Sequence, residues 1–221
     1  MDAVSTLPFP ASVYAARLDR AASLAADSGL DGIVVGPGPD LQYLVGVEGD
    51  TIERLTALVL GPGLAPTIVV PRMELAKVRT TAVGALGLAV SDWVDGDNPY
   101  DLVAAALGTV SRVGVSDALP ALHVIPLADR IDVRVELATP VLREGRMIKD
   151  AEEIAELRLA GEAIDAVHRR VPEWLRAGRT EREVAADIAE AIVAEGTARS
   201  SSSSSAPAPT APTRITRCRT G

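Results

Sequence analysis

The sequence predicts an α/β protein: a mostly parallel or mixed sheet with helices on both faces, then two helices that open a second domain. Three observations lead there. Short apolar runs alternate with amphipathic stretches from residue 11 to residue 137, the pattern of strands joined by crossover helices. Runs such as Gly32-Ile33-Val34-Val35 carry no polar residue, as strands covered on both faces do. Beyond Thr139-Pro140 the strand signals stop and helical periodicity takes over.

Ala11 to Asp27 reads as an amphipathic helix, with Val13, Leu18, Ala22, Leu24 and Ala25 on its apolar face and Arg17, Asp19 and Arg20 on its wet face. Ser28-Gly29 stops it. Gly32 to Val35 is a buried strand, and Pro37-Gly38-Pro39-Asp40 turns the chain into a short helix around Leu41 to Leu44. Thr56 to Leu60 and Thr67 to Val70 form a strand pair around Gly61-Pro62-Gly63. Arg72 to Ala82 is expected to be helical, Leu86 to Val90 to be a strand, and Pro99 to Leu107 to be a helix with Pro99 in its first turn. Val113 to Val115 is a strand. Ala118 to Leu127 is expected as a short helical piece, restricted by Pro120 and Pro126. Val133 to Leu137 is the last strand, with Val133, Val135 and Leu137 alternating against Arg134 and Glu136. Asp150 to Arg176 is one long amphipathic helix, kinked or split near Pro172 and closed by Gly178. Thr180 and Glu183 form a capping box for a second helix running to about Glu195.

The chain changes character at Gly196. Six serines, Ser200 to Ser205, precede a Pro/Ala/Thr stretch from Ala206 to Thr213, and the end carries Arg214, Arg217, Cys218 and Arg219. Nothing there recurs at strand or helix spacing, so no apolar face exists to bury and disorder is expected. A native Ser/Pro tail is one explanation and a lost reading frame the other. Written in GC-rich codons with one base restored after Gly196, the tail re-reads as GHGTVEFVIVGSGPNGADPHHEVSDR. That is an apolar strand, a Gly/Pro turn and paired histidines. Random re-reading seldom gives this order, so the frameshift is the preferred expectation.

Composition narrows the function classes. The net charge is −8, and residues 1–196 keep 18 basic and all 30 acidic residues, a net −12. An acidic body argues against nucleic acid or an anionic membrane as the main partner. The tail arginines lack interleaved aromatics and do not change this. Cys218 is the single cysteine, so no intrachain disulfide forms, which fits a reducing cytoplasm. The start, Met1-Asp2-Ala3-Val4, has no basic region or long apolar stretch, and no segment reaches the roughly 20 apolar residues of a membrane span.

Chemistry-bearing motifs are few. His123 and His168 sit in separate elements with no His or Cys at metal-ligand spacing, and both read as ordinary helix or helix-edge residues. Gly36-Pro37-Gly38-Pro39 follows a strand, but lacks the G-x-G-x-x-G spacing and loses two backbone donors to proline, so it reads as a turn. Asp92, Asp95, Asp97 and Asp101 lack the calcium-loop pattern and read as a solvated turn. No serine outside the tail has a G-x-S-x-G setting.

The specific signal is Arg146-Met147-Ile148-Lys149-Asp150-Ala151-Glu152-Glu153-Ile154, followed by a long helix, Gly178-Arg179-Thr180-Glu181-Arg182-Glu183 and a helix ending in Glu195-Gly196. With Asp40-Leu41-Gln42-Tyr43-Leu44-Val45-Gly46, which looks like an N-L-x-Y-L-T-G segment, this resembles the Xaa-Pro peptidase family of aminopeptidase P, prolidase and creatinase. The resemblance covers about residues 12–196. It implies a creatinase-like N-terminal domain over 1–140, a linker and the first helices of an incomplete "pita-bread" catalytic domain over 141–196, and an off-frame tail over 197–221.

In that family two divalent metals, often manganese or cobalt, are held by two Asp, one His and two Glu and activate water against the bond before proline. All five ligands fall beyond Gly196 in the family pattern. Asp150, Glu152, Glu153, Glu181 and Glu183 match helix starts, so no catalytic or metal residue is assigned. The expectation is a fragment of a cytoplasmic Xaa-Pro aminopeptidase or dipeptidase that binds no metal and is inactive alone. The alternative is a non-catalytic creatinase-like binding or dimerisation module. A homodimer through the N-terminal domain is the implied partner, with Xaa-Pro peptides reserved for the full-length form.

Overall fold

The computed structural model describes residues 7–49 and 53–196. The Ser/Pro tail and its proposed displaced frame lie outside them. The chain divides into two units, Met1–Ile148 and Lys149–Gly221.

The first unit begins with α1 (Ala11–Asp27), β1 (Gly32–Val35) and α2 (Pro39–Val45). The hairpin β2 (Ala57–Gly61) and β3 (Leu64–Pro71) follows, then a 3-10 turn, α3 (Leu75–Arg79), α4 (Ala82–Ala85) and β4 (Ala89–Trp93). α5 (Pro99–Leu107), β5 (Arg112–Val115), α6 (Ala121–Ile131), β6 (Arg134–Leu137) and α7 (Thr139–Met147) complete it. The strand order is β4-β3-β2-β1-β5-β6. β1 pairs parallel with β5, as do β3 with β4 and β5 with β6, whereas β2 runs antiparallel to both its neighbours. β2 alone therefore opposes the common direction. The reason is the tight turn before β3, where Gly63 takes φ +72°: so short a link joins only antiparallel strands.

β1 and β2 are buried at every position, as their unbroken apolar runs require. Ile33, Val35, Leu58 and Ile68 face one layer, with Leu18 of α1, Leu41 and Leu44 of α2 and Val141 of α7. Val34, Val59, Val69 and Val113 face the other, with Val103 and Leu107 of α5 and Leu127 of α6. Helices thus cover both faces of the sheet.

Four local expectations change. The helical stretch expected over Arg72 to Ala82 is interrupted at Thr80 and Thr81. The Thr80 and Thr81 hydroxyls donate back to the Lys77 and Val78 carbonyls at 2.7 Å, and Thr81 caps a new helix, α4. β4 starts at Ala89, not Leu86, because Gly87 takes φ +62° after α4 and turns the chain first. α6 starts at Ala121 and runs to Ile131: Pro120 stands just outside it, and the helix continues through Pro126. Leu137 is not inward but 62% exposed, while Glu136 is half-buried and bound to Arg112 (Nε to Oε1, 2.9 Å). α7 was not separated from the linker by the sequence pattern.

In the second unit α8 (Ala151–Trp174) runs past Pro172 and α9 (Glu181–Ala194) follows. Both start in capping boxes. Asp150 Oδ1 accepts from the Glu153 N–H at 2.7 Å and Glu153 returns to the Asp150 N–H at 3.1 Å. Thr180 and Glu183 repeat this at 3.3 and 2.7 Å. Val167, Val184 and Ala191 are the buried residues of the pair.

Candidate functional site: the junction of α1, α2 and α7

An open α/β sheet binds ligands beyond the carboxyl ends of its parallel strands. Here the space after β1 and β5 is filled. The Gly36 N–H donates to Ser116 Oγ at 3.0 Å, and Ser116 is fully buried. A Cβ on Gly36 would lie 2.7 Å from Leu119 Cδ1, and one on Gly38, at φ +146°, 2.9 Å from Ala118 Cβ. The two turns pack on each other with no space between them for a phosphate.

The aspartates of the acidic run are committed locally. Arg72 Nε donates to Asp92 at 2.5 Å, and Arg54 grips Asp95 with two bonds of 3.0 and 2.8 Å. These hydrogen bonds hold both carboxyls below the usual range. Asp97 accepts from the Val94 N–H at 3.0 Å, and Asp101 pairs with Arg130. His123 is buried, with Nδ1 3.0 Å from Tyr100 Oη, and burial pushes the Tyr100 phenol up. That hydroxyl also lies 3.5 Å from the Leu122 carbonyl, the acceptor that Pro126 leaves without its helical donor. His168 is exposed on α8. Among the described residues no group of three or more His, Cys, Asp or Glu could hold a metal ion. The two-metal centre implied by the resemblance therefore finds no fitting donor set there.

The most developed polar geometry joins the two sequence motifs. Arg146 Nη1 donates to Asp40 Oδ1 at 2.7 Å, and Tyr43 Oη donates to the Gly145 carbonyl at 3.1 Å. α2 is thereby tied to α7, across 106 residues of sequence in the case of the ion pair. Asp40 occupies the first turn of α2, where its charge also faces the helix dipole. Arg17 completes the cluster. Its Nη1 donates to the Tyr43 carbonyl at 3.1 Å, and its guanidinium lies 4.7, 5.5 and 4.2 Å from the ring centres of Phe9, Tyr14 and Tyr43. Arg17 was expected on the wet face of α1, but is 5% exposed. The rings replace water around it, and a cation over aromatic faces is held by about 0.5–2 kcal/mol. The available signal was Phe9, Tyr14 and Tyr43 themselves, half of the six aromatics in the chain. The cluster contains no nucleophile beside a base. Its chemistry is mechanical: it fixes the last helix of the first unit.

The family model for the creatinase/prolidase N-terminal domain matches residues 17–148, and the chain belongs to that family. The "Probable dipeptidase PepE" of Mycobacterium tuberculosis and of Mycobacterium bovis is 58% identical over 189 residues, covering 85% of this chain and 50% of the relative. The solved dipeptidase PepE from Mycobacterium ulcerans is 56% identical with a TM-score of 0.80, over 85% of this chain and 51% of that one. A prolidase from Thermococcus sibiricus is 29% identical with a TM-score of 0.68, over 81% and 49%. The chain spans about half the length of the relatives it matches. The Xaa-Pro peptidase resemblance read from Asp40–Gly46 and Arg146–Ile154 stands for this N-terminal part. No helix among the described residues is long and apolar enough to cross a membrane.

Proposed function

We propose that this chain is the N-terminal half of a cytoplasmic Xaa-Pro dipeptidase and is without peptidase activity alone. The observation that carries the reading is the 58% identity to a dipeptidase over 189 residues, with half of that relative unmatched. The second clause rests on the family pattern, in which all five metal ligands fall beyond Gly196. When bound, the two metals of such an enzyme would supply activated water. What this chain's own residues do is build the first domain and fix its exit helix α7 through Asp40, Arg146 and Arg17. The test is calorimetric titration of the purified chain with manganese, together with hydrolysis of an Xaa-Pro dipeptide. No tight binding and no turnover are expected; metal-dependent turnover above background would overturn the reading.

A second reading is a non-catalytic binding or dimerisation module. The self-contained two-layer core of the first unit favours it. A stable homodimer in sedimentation, together with an inert metal titration, would support it.

A further inference from the structure

Two aspartates of the chain stand directly before a glycine, Asp31 and Asp95. Glycine has no side chain to shield its amide nitrogen, so in such a pair the aspartyl carboxyl and the next nitrogen meet most readily. The fold treats the two pairs differently. Gly32 is buried in β1 and paired with Val113, and a Cβ on it would lie 2.6 Å from Leu107 Cδ2. Asp31 Oδ2 is held by the backbone N–H groups of Ser111 and Arg112. Asp95 and Gly96 instead form the tip of the turn between β4 and α5, where residues 94–98 are all exposed. The turn is closed behind them: the Asp97 N–H donates to the Val94 carbonyl and the Val94 N–H to Asp97 Oδ2, both at 3.0 Å. Gly96 takes φ +106°, with nothing within 4 Å of the place a Cβ would occupy. The Asp95 side chain is 74% exposed, and Arg54 grips both its oxygens at 3.0 and 2.8 Å. Glu53 and Glu74 are the further charges that act on that guanidinium.

We propose that Asp95–Gly96 is a modification site of this chain, at which the aspartate isomerises to isoaspartate, and that Arg54 is the brake on the reaction. The Gly96 nitrogen gives up its proton and attacks Cγ of the neutral Asp95 carboxyl. The N–Cγ bond forms, the Cγ–OH bond breaks and the hydroxyl leaves as water, closing a five-membered succinimide. Water then adds at the former main-chain carbonyl of Asp95, breaks its bond to the Gly96 nitrogen and returns a proton to that nitrogen. One water leaves and one enters, and nothing is oxidised or reduced. The main chain now runs through the side-chain carbon, one methylene longer between β4 and α5. Arg54 slows the first step because its two hydrogen bonds favour the ionised carboxylate, which is a poor acceptor for a nucleophile. Asp31 stays intact, since Gly32 is fixed in the sheet and cannot turn back onto the carboxyl.

The test ages the purified full chain in neutral buffer at a temperature where circular dichroism shows it folded, and in parallel in denaturing urea. An isoaspartate-specific methyltransferase with labelled S-adenosylmethionine counts the product. Fragmentation of the tryptic peptides 80–112 and 21–54 assigns it to Asp95 or to Asp31. In the folded chain the product forms at Asp95 ahead of Asp31. Arg54→Gln raises the rate at Asp95 by about threefold or more, because the carboxyl returns to its ordinary range and its neutral fraction grows. Arg54→Lys, which keeps the charge but loses the two-point fork, falls between the two. Asp95→Glu gives no product at that position, since its longer side chain would have to close a larger ring. In urea the parent and Arg54→Gln react alike, and Asp31 reacts with Asp95. Product at Asp31 ahead of Asp95 in the folded chain, or no product at Asp95, overturns the proposed site. Equal rates for the parent and Arg54→Gln in buffer overturn the brake, and so does a difference between them that persists in urea, since the folded ion pair is then not its cause.

Discussion

Asp40 shows how one carboxylate serves two tasks. It lies in the first turn of α2, and it receives Arg146 at 2.7 Å with a side chain only 10% exposed. Arg146 is 42% exposed on its side chain, so the pair stands between a surface contact and a buried one. Its removal is therefore expected to cost more than a surface ion pair and less than a fully buried one. Asp40→Ala should lower stability by about 1–3 kcal/mol, the range for a hydrogen bond to a charged group. Urea unfolding followed at Trp93, the tryptophan of the first unit, measures this. A loss under about 0.5 kcal/mol would show that the pair is a surface contact only. Arg17 makes the complementary point. Its position in α1 fits a helical wheel's wet side, and only the rings of Phe9, Tyr14 and Tyr43 make its burial tolerable.

At the scale of elements, β1 and β5 are clamped at their starts by Asp31. Its Oδ2 accepts from the backbone N–H groups of Ser111 at 2.7 Å and Arg112 at 3.0 Å. Those bonds hold the Asp31 carboxyl below its ordinary value. A depressed folded pKa means that the unfolded chain takes up the proton first as pH falls. The stability contributed by Asp31 is thus complete above about pH 4 and is lost as pH drops through the folded value. Asp31→Asn should unfold at lower urea than the parent at pH 7, and the two midpoints should converge towards pH 2. Midpoints that remain parallel across that window would remove Asp31 from the acid limb. The same scale explains the broken helix after β3. Thr80 and Thr81 offer their hydroxyls to carbonyls one turn back and end α3, a competition that apolar spacing does not register.

At the scale of the molecule, burial is unevenly shared. The sheet of the first unit is covered on both faces, whereas α8 and α9 together bury Val167, Val184 and Ala191. Amides from 151 to 162 should accordingly exchange well before those of β1 and β2, which native-state hydrogen exchange resolves. Equal protection in both would contradict this. Capping boxes at Asp150 and Thr180 start these helices locally, but a cap of about 1 kcal/mol does not replace a packed face.

Much of the architecture was legible in the residues. Unbroken apolar runs in β1 and β2, amphipathic spacing in α1, α5 and α8 and the turn around Gly63 are local signals, and each is written within a few neighbours. The motifs Asp40–Gly46 and Arg146–Ile154 were legible as well, though their meeting was not. Their contact, the burial of Arg17, the plugging of the β1 end by Leu119 and the outward Leu137 all depend on chain segments far apart in sequence. Periodicity reports which face of one element is apolar. It does not say which distant side chain will lie against that face, and a charged group can enter a core only where such a neighbour supplies rings or a counter-charge. The sequence by itself determined most of the elements, their layering class and the family; the tertiary structure decided where several elements begin and break, which polar residues became interior, and the tie of α2 to α7.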